Sequence, residues 1–183
     1  MAQVDAIFSK SRRWGHNENI QVWKQTGLTD GLGNEPISIY GRNSASGTYR
    51  FFKEHALKNK NYKDEVKEQP GSASVVQSVS EDQAGIGYSG IGYLTSNVRA
   101  VPIAEKDGMP YMEASQQNAD NGSYPLWRHL YLYINKAPDK PLDPIVKEFI
   151  KFIYSKEGQK VVVKDGFFPL KAAAIEQELK KLD

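Results

Sequence analysis

The densest anion-binding chemistry in the sequence lies in residues 41–48, where Gly41, Arg42, Asn43, Ser44, Ala45, Ser46, Gly47 and Thr48 follow one another. Ahead of them Ile37, Ser38, Ile39 and Tyr40 alternate as a strand does; beyond Gly47 the period changes and Phe51, Phe52, Ala56 and Leu57 share a helix face. This pattern predicts strand, polar loop, helix. The first backbone N–H groups of such a helix have no acceptor within it. Ser46 can cap that end, Gly47 lets a ligand approach the backbone, and Thr48 adds a hydroxyl, all at the positive end of the helix dipole. Arg42 can present two parallel N–H groups to two oxygens of one phosphate or sulfate. Read alone, the loop serves equally well as a capped helix start beside a surface arginine.

Other chemistries find less support. Gly85, Gly87 and Gly90 fit G-x-G-x-x-G, but no convincing helix follows to aim its N-terminus at a pyrophosphate, so a glycine-rich strand and turn is expected. The P-loop pattern is missing. No serine sits in G-x-S-x-G, and His16, His55 and His129 are scattered, so no catalytic residue is assigned. Histidines and carboxylates nowhere have metal-ligand spacing, and neither metal nor cofactor is expected. Tyr124, Trp127, Tyr131 and Tyr133 cluster with Arg128 and suggest a base-stacking surface, but alternating aromatics in a strand fit core and hinge packing better. Asn121, Gly122 and Ser123 form a sequon read as a turn.

The elements that position the loop follow from periodicity. Val4, Ile7 and Phe8 predict a helix over residues 2–10; residues 27–36 read as a loop; a helix begins near Ser74 with Val75, Val76 and Val79 on one side. Strands are expected at 85–88, 98–103 and 130–134. Asp143 and Pro144 form an N-cap and first turn for a helix whose Ile145, Val146, Phe149, Ile150 and Ile153 face a core. A further helix starts at Ser155 or Lys156 and runs toward Lys164 with Gly166 as its stop, and residues 172–182 form a charged final helix. The alternation indicates an α/β protein.

Composition sets the outer limits. A chain of 183 residues, 39% hydrophobic and 11% aromatic, supports one core or one lobe plus part of another. Its charge of +2, from 24 basic and 22 acidic residues, is a balance that gives nucleic acid no support. No apolar run approaches the roughly 18 residues of a membrane span, and the first residues lack the basic and apolar regions of a secretory signal. With no cysteine, disulfides and thiolate metal sites are excluded.

Six segments in order carry a wider resemblance: Ile37-Ser-Ile-Tyr-Gly-Arg42, Ser46-Gly-Thr48, Ala84-Gly-Ile-Gly-Tyr88, Tyr124-Pro-Leu126, Leu130-Tyr-Leu-Tyr-Ile-Asn135 and Glu157-Gly-Gln159. Together the sequence resembles the phosphate-binding proteins of bacterial phosphate ABC transporters, over nearly its whole length. The resemblance implies a periplasmic-binding-protein-like lobe of type 2, with phosphate held without covalent chemistry between two α/β lobes. It places the phosphate ligands on Arg42, Ser46, Gly47 and Thr48, with Ser44 as an added donor. It makes residues 1–127 the second lobe, 128–135 the returning hinge strand, and 136–183 the C-terminal helical part of an incomplete first lobe. The family's N-terminal segment has no counterpart before Met1, so a partial site is expected.

The resemblance further implies a periplasmic or exported location, an ABC permease as partner, no insertion into the membrane, and self-association through the exposed incomplete lobe. Two other functions fit parts of the sequence: a fragment without ligand that acts as a sensor or interaction surface, and a phosphatase or esterase using Ser46. Some relatives carry an acidic residue within the loop, where this chain has Asn43, Ser44 and Ala45. A hydroxyl at Ser44 can donate to an anion but is no ionised acceptor for the proton of hydrogen phosphate. The loop by itself therefore leaves phosphate and sulfate undistinguished.

Overall fold

The computed structural model describes residues 1–29 and 31–182 and divides into two units, Met1–Arg128 and His129–Asp183. In the first, the hydrophobic alternation before the loop becomes β1 (Ser38–Arg42) at the centre of a three-stranded sheet. Its neighbours are β2 (Lys67–Gln69) and β3 (Gly85–Gly87), both parallel to it, with Tyr40 opposite Lys67 and Ile39 opposite Ile86. Helix α2 (Gly47–Leu57) carries the chain from β1 to β2, and α3 (Ser72–Glu81) carries it back across β1 to β3. Right-handed crossovers that run in opposite directions along a parallel sheet place their helices on opposite faces. In parallel α/β sheets ligands generally bind at the carboxyl edge where that direction reverses.

The two faces of β1 show that division. Ile39 joins Phe8, Phe52, Ala56, Leu57 and Tyr88 in the main core, with α1 (Ala2–Phe8) packed on α2. Tyr40, one residue on and therefore on the other face, donates its hydroxyl to Asp82 Oδ2 at 2.9 Å, at the end of α3. The core is built on aromatic contacts: Phe52 stacks on Tyr88 at 4.1 Å and meets Phe8 edge-on at 4.9 Å, arrangements that add to the area they bury. Buried Lys63 ties α1 to the loop that follows it, donating to the carbonyls of Ala6 at 2.7 Å and Ile20 at 2.9 Å.

Glycines at Gly85 and Gly87 have packing duties. A Cβ on Gly87 would stand 2.8 Å from Val75 Cγ1 and 3.1 Å from the Tyr40 carbonyl, so its absence lets α3 and β1 close on β3. The glycine-rich segment is a strand, with a short 3-10 turn at Ile91–Tyr93 after it. Unforeseen elements are β2, the short helix α4 (Gln116–Asp120) and the 3-10 turn Trp23–Thr26. β2 is three residues long, with Lys67 and Glu68 exposed and no apolar alternation to reveal it. Residue 30, within the loop expected at 27–36, lies outside the described residues.

Several expectations need correction. The helix expected over 2–10 ends at Phe8, because Ser9 takes extended backbone and bridges to Tyr62. No strand forms over 98–103; only Ile103 pairs, in an isolated antiparallel bridge with Met112. Residues 130–134 form no strand either, and the hinge strand assigned to 128–135 is not observed: the alternation is present, but no described strand pairs with it, and Leu130 and Tyr133 are 68% and 87% exposed. An alternating pattern forms a strand only where a partner completes its hydrogen bonds. The final helix is α7 (Ala172–Leu179), tightening into a 3-10 turn at Lys180–Leu182.

The second unit is helical. Asp143 caps α5 (Pro144–Tyr154) through its Oδ1, which accepts from the N–H groups of Ile145 and Val146. Ser155 caps α6 (Lys156–Lys164) by accepting from Gly158 N–H at 3.1 Å, and Gly166 just beyond has a φ of +81°. Of the α5 residues expected in a core, Ile150 is buried with Leu142 and Leu182 and Val146 packs beside them, whereas Ile145 and Phe149 are 80% and 58% exposed. The apolar stripe of α5 is wider than the small cluster within this unit.

Asp82 generates a stability prediction. The Ser38 hydroxyl foremost, then the Tyr40 hydroxyl, the Ala84 N–H and the charge of Lys67 hold its carboxyl below the usual range against the opposing effect of burial. A depressed folded-state pKa gives stability that is present above the unfolded value of about 4 and is lost as pH falls through the folded value. Asp82→Asn should cost about 1 kcal/mol at pH 7, a modest figure because the group is well solvated. Denaturant unfolding of the two chains should show that gap closing below about pH 4; a gap constant with pH would contradict it.

Candidate functional site

Residues 42–48 occupy the carboxyl edge of the sheet, where α2 and α3 both begin. Ser46 is buried and N-caps α2 in extended backbone, its Oγ accepting from Thr48 N–H at 3.1 Å and Tyr49 N–H at 3.4 Å. Those bonds use the oxygen's lone pairs and leave the hydroxyl proton to donate elsewhere. Gly47, the first helical residue, is exposed, and its N–H makes no hydrogen bond to the described residues. Thr48 is half-buried beside it and Ser44 is exposed at the turn. Thus Ser46, Gly47 and Thr48 come together at one helix end.

Arg42 is directed differently. As the last residue of β1 it shares the Tyr40 face, and its Nη1 donates to Ser72 Oγ at 2.8 Å and its Nη2 to the Pro70 carbonyl at 3.1 Å. Its Nε is buried and has no partner among the described residues, a costly state for a donor. The guanidinium therefore lies at the start of α3, and no hydrogen bond joins it to Ser46 among the described residues. Strand alternation accounts for this: residue 42 has the parity of 40, toward α3, whereas α2 sits over the Ile39 face.

Tyr88 fixes the end of β1 between the helices. Its hydroxyl accepts from Arg42 N–H at 3.1 Å and donates to the Arg42 carbonyl at 3.4 Å, while its ring lies on Phe52. Burial pushes the phenol above its ordinary pKa, so it remains a neutral donor and acceptor. Neither Ser72 nor this role of Tyr88 was legible, because both depend on how β2 and β3 flank β1. Arg128 was also unassigned: its guanidinium lies 5.1 Å from the Phe51 ring centroid, next to Gly47. Of the other aromatics, Tyr124 packs against the core, while Tyr131 and Tyr133 are exposed. Among the described residues no group of three metal-ligating side chains exists, and no helix is long and apolar enough to cross a membrane.

The sheet edge, the capping serine and an N–H with no hydrogen bond to the described residues thus meet in one α/β unit. The chain belongs to the PBP superfamily, whose domain model matches residues 1–157. It is 53% identical over 182 residues to a phosphate-binding protein PstS of Pseudomonas aeruginosa, covering all of this chain and 56% of that one. A crystal structure from Clostridium perfringens, described as a phosphate ABC transporter substrate-binding protein with bound phosphate, is similar with a TM-score of 0.62 and 28% identity, over 83% of this chain and 58% of that one. A possible phosphate binding protein from Planctomyces limnophilus shares the fold with a TM-score of 0.64 at 21% identity, over 99% of this chain and 62% of that one. The chain thus spans little more than half the length of these relatives.

Gly41 is where the site is most sensitive to bulk. A Cβ there would lie 2.9 Å from Tyr88 Cε1 and 3.0 Å from both Tyr88 Oη and Val66 Cγ1. Gly41→Ala should displace the tyrosine that holds Arg42 and cost about 1–3 kcal/mol, as overpacking generally does. Thermal unfolding should show a midpoint several degrees lower; an unchanged midpoint would show that the ring yields freely.

Proposed function

We propose that this chain is part of the solute-binding component of a phosphate ABC importer and binds inorganic phosphate non-covalently at the start of α2. The observation that carries this reading is the exposed, unbonded Gly47 N–H beside the capping Ser46 hydroxyl, in a chain 53% identical to a protein named for phosphate binding. Gly47 supplies a backbone donor, Ser46 and Thr48 hydroxyl donors, and Ser44 an added one from the turn. Arg42 contributes positive charge from the α3 side, and its buried Nε has no partner among the described residues. The helix dipole favours an anion at this point.

Residues 1–127 act as the second lobe, 128–135 as the returning hinge and 136–183 as the C-terminal helical part of the first. The site is then partial, the remaining ligands belonging to a facing lobe, and bound phosphate passes to a permease of the ABC type outside the cytoplasm. Turnover is not part of this function: the neighbours of Ser46 Oγ are the N–H groups of a helix cap, not a base. Exposed Leu130, Tyr133, Ile145 and Phe149 favour self-association of this chain through residues 129–183.

Calorimetric titration of the 183-residue chain with phosphate and with sulfate tests this reading, repeated on Arg42→Ala and Ser46→Ala, with light scattering reporting mass. Each lost hydrogen bond to a charged partner is worth about 1.5–3 kcal/mol, so affinity should fall at least about tenfold in each variant. Millimolar affinity is expected of a partial site. Phosphate binding indifferent to both substitutions would overturn the assignment, and a strictly monomeric mass would remove the self-association.

A further inference from the structure

We propose that Arg128 is a second arginine of the anion site, presenting its guanidinium to a bound oxyanion at Gly47; the inference rests on the anion reading of residues 42–48. A carbon at the Cβ position of Gly47 would stand 3.8 Å from Arg128 Nη2 and 3.9 Å from Nη1, so both terminal nitrogens lie over the first residue of α2. An oxygen that accepts from the Gly47 N–H comes within their reach. The arginine is held there by the Phe51 ring, 5.1 Å from its guanidinium carbon, and that ring is in turn stacked with His55 at 4.2 Å. Contact with a ring uses the flat face of the guanidinium and not its N–H edge.

The two arginines divide the work. Arg42 has both Nη atoms bonded to protein oxygens at the start of α3, so it offers charge without a free fork. Arg128 belongs to the same unit as Gly47 and has both terminal nitrogens beside it, and its planar pair of N–H groups matches two oxygens of one tetrahedral anion. Two guanidinium groups, with no carboxylate in residues 42–48, make this half of the site responsive to the charge of the ligand more than to its protonation. Sulfate and hydrogen phosphate, both dianions, should therefore respond alike to Arg128.

The test is titration of the intact chain with phosphate and with sulfate in wild type, Arg128→Gln and Arg128→Lys, at low and high salt, with thermal unfolding alongside. Arg128→Gln should weaken both anions about tenfold or more at an unchanged unfolding midpoint, and its affinity should depend less on salt than that of wild type. Arg128→Lys should recover part of the loss, since it restores charge without the fork. Unchanged affinity in Arg128→Gln, where Ser46→Ala weakens binding, would overturn the role of Arg128 and leave the anion loop standing. A wild-type chain that binds neither anion would remove both. A loss in Arg128→Gln matched by a lower midpoint and not recovered by lysine would make the residue structural and overturn the proposal.

Discussion

The end of β1 is a junction whose backbone must satisfy two helices at once. A central parallel strand has neighbours on both edges and a helix on each face, so the residue at its carboxyl end can address only one of them with its side chain. In this chain that residue is Arg42, and its parity sends it to α3. The loop that follows must then reach the other face and begin α2 within four residues, which Ser46 accomplishes by capping in extended backbone. Tyr88 stabilises the junction by bonding both backbone groups of Arg42. The donors of the proposed anion site are arranged around that crossing.

Much of this was legible in the sequence because it is local. The change from strand to helix period around Ser46 predicts both the cap and the unbonded donor after it, and Asp143 with Pro144 predicts the start of α5 for the same reason. The G-x-G-x-x-G match proved to be close packing at Gly87, which the lack of a following helix had already suggested. The illegible parts depend on contacts between distant segments. β2 is too short and too polar to show a pattern, so neither the direction of Arg42 nor its partner Ser72 could be read. Arg128 comes beside Gly47 only because the chain returns across 80 residues to reach it.

The missing strand at 130–134 and the exposed face of α5 have a common physical origin. Residues 130–134 have the alternation of a strand, and α5 has a broad apolar stripe, yet both expose much of that surface in this chain. Periodicity records which face of an element is made for burial; whether it is buried depends on what packs against it. The same distinction applies to the proposed site: the helix end supplies donors, while which anion they receive, and how firmly, depends on groups that face it from elsewhere.

All of the proposed function turns on an oxyanion being received by the Gly47 N–H at the start of α2. Phosphate titration of the nitrogen-15-labelled chain, followed by the amide resonances, tests it directly. The Gly47 amide should move farthest and in a saturable way, followed by Ser46 and Thr48, while amides of α5 and α6 stay in place. A saturable response centred on other residues, with Gly47 unmoved, would contradict it.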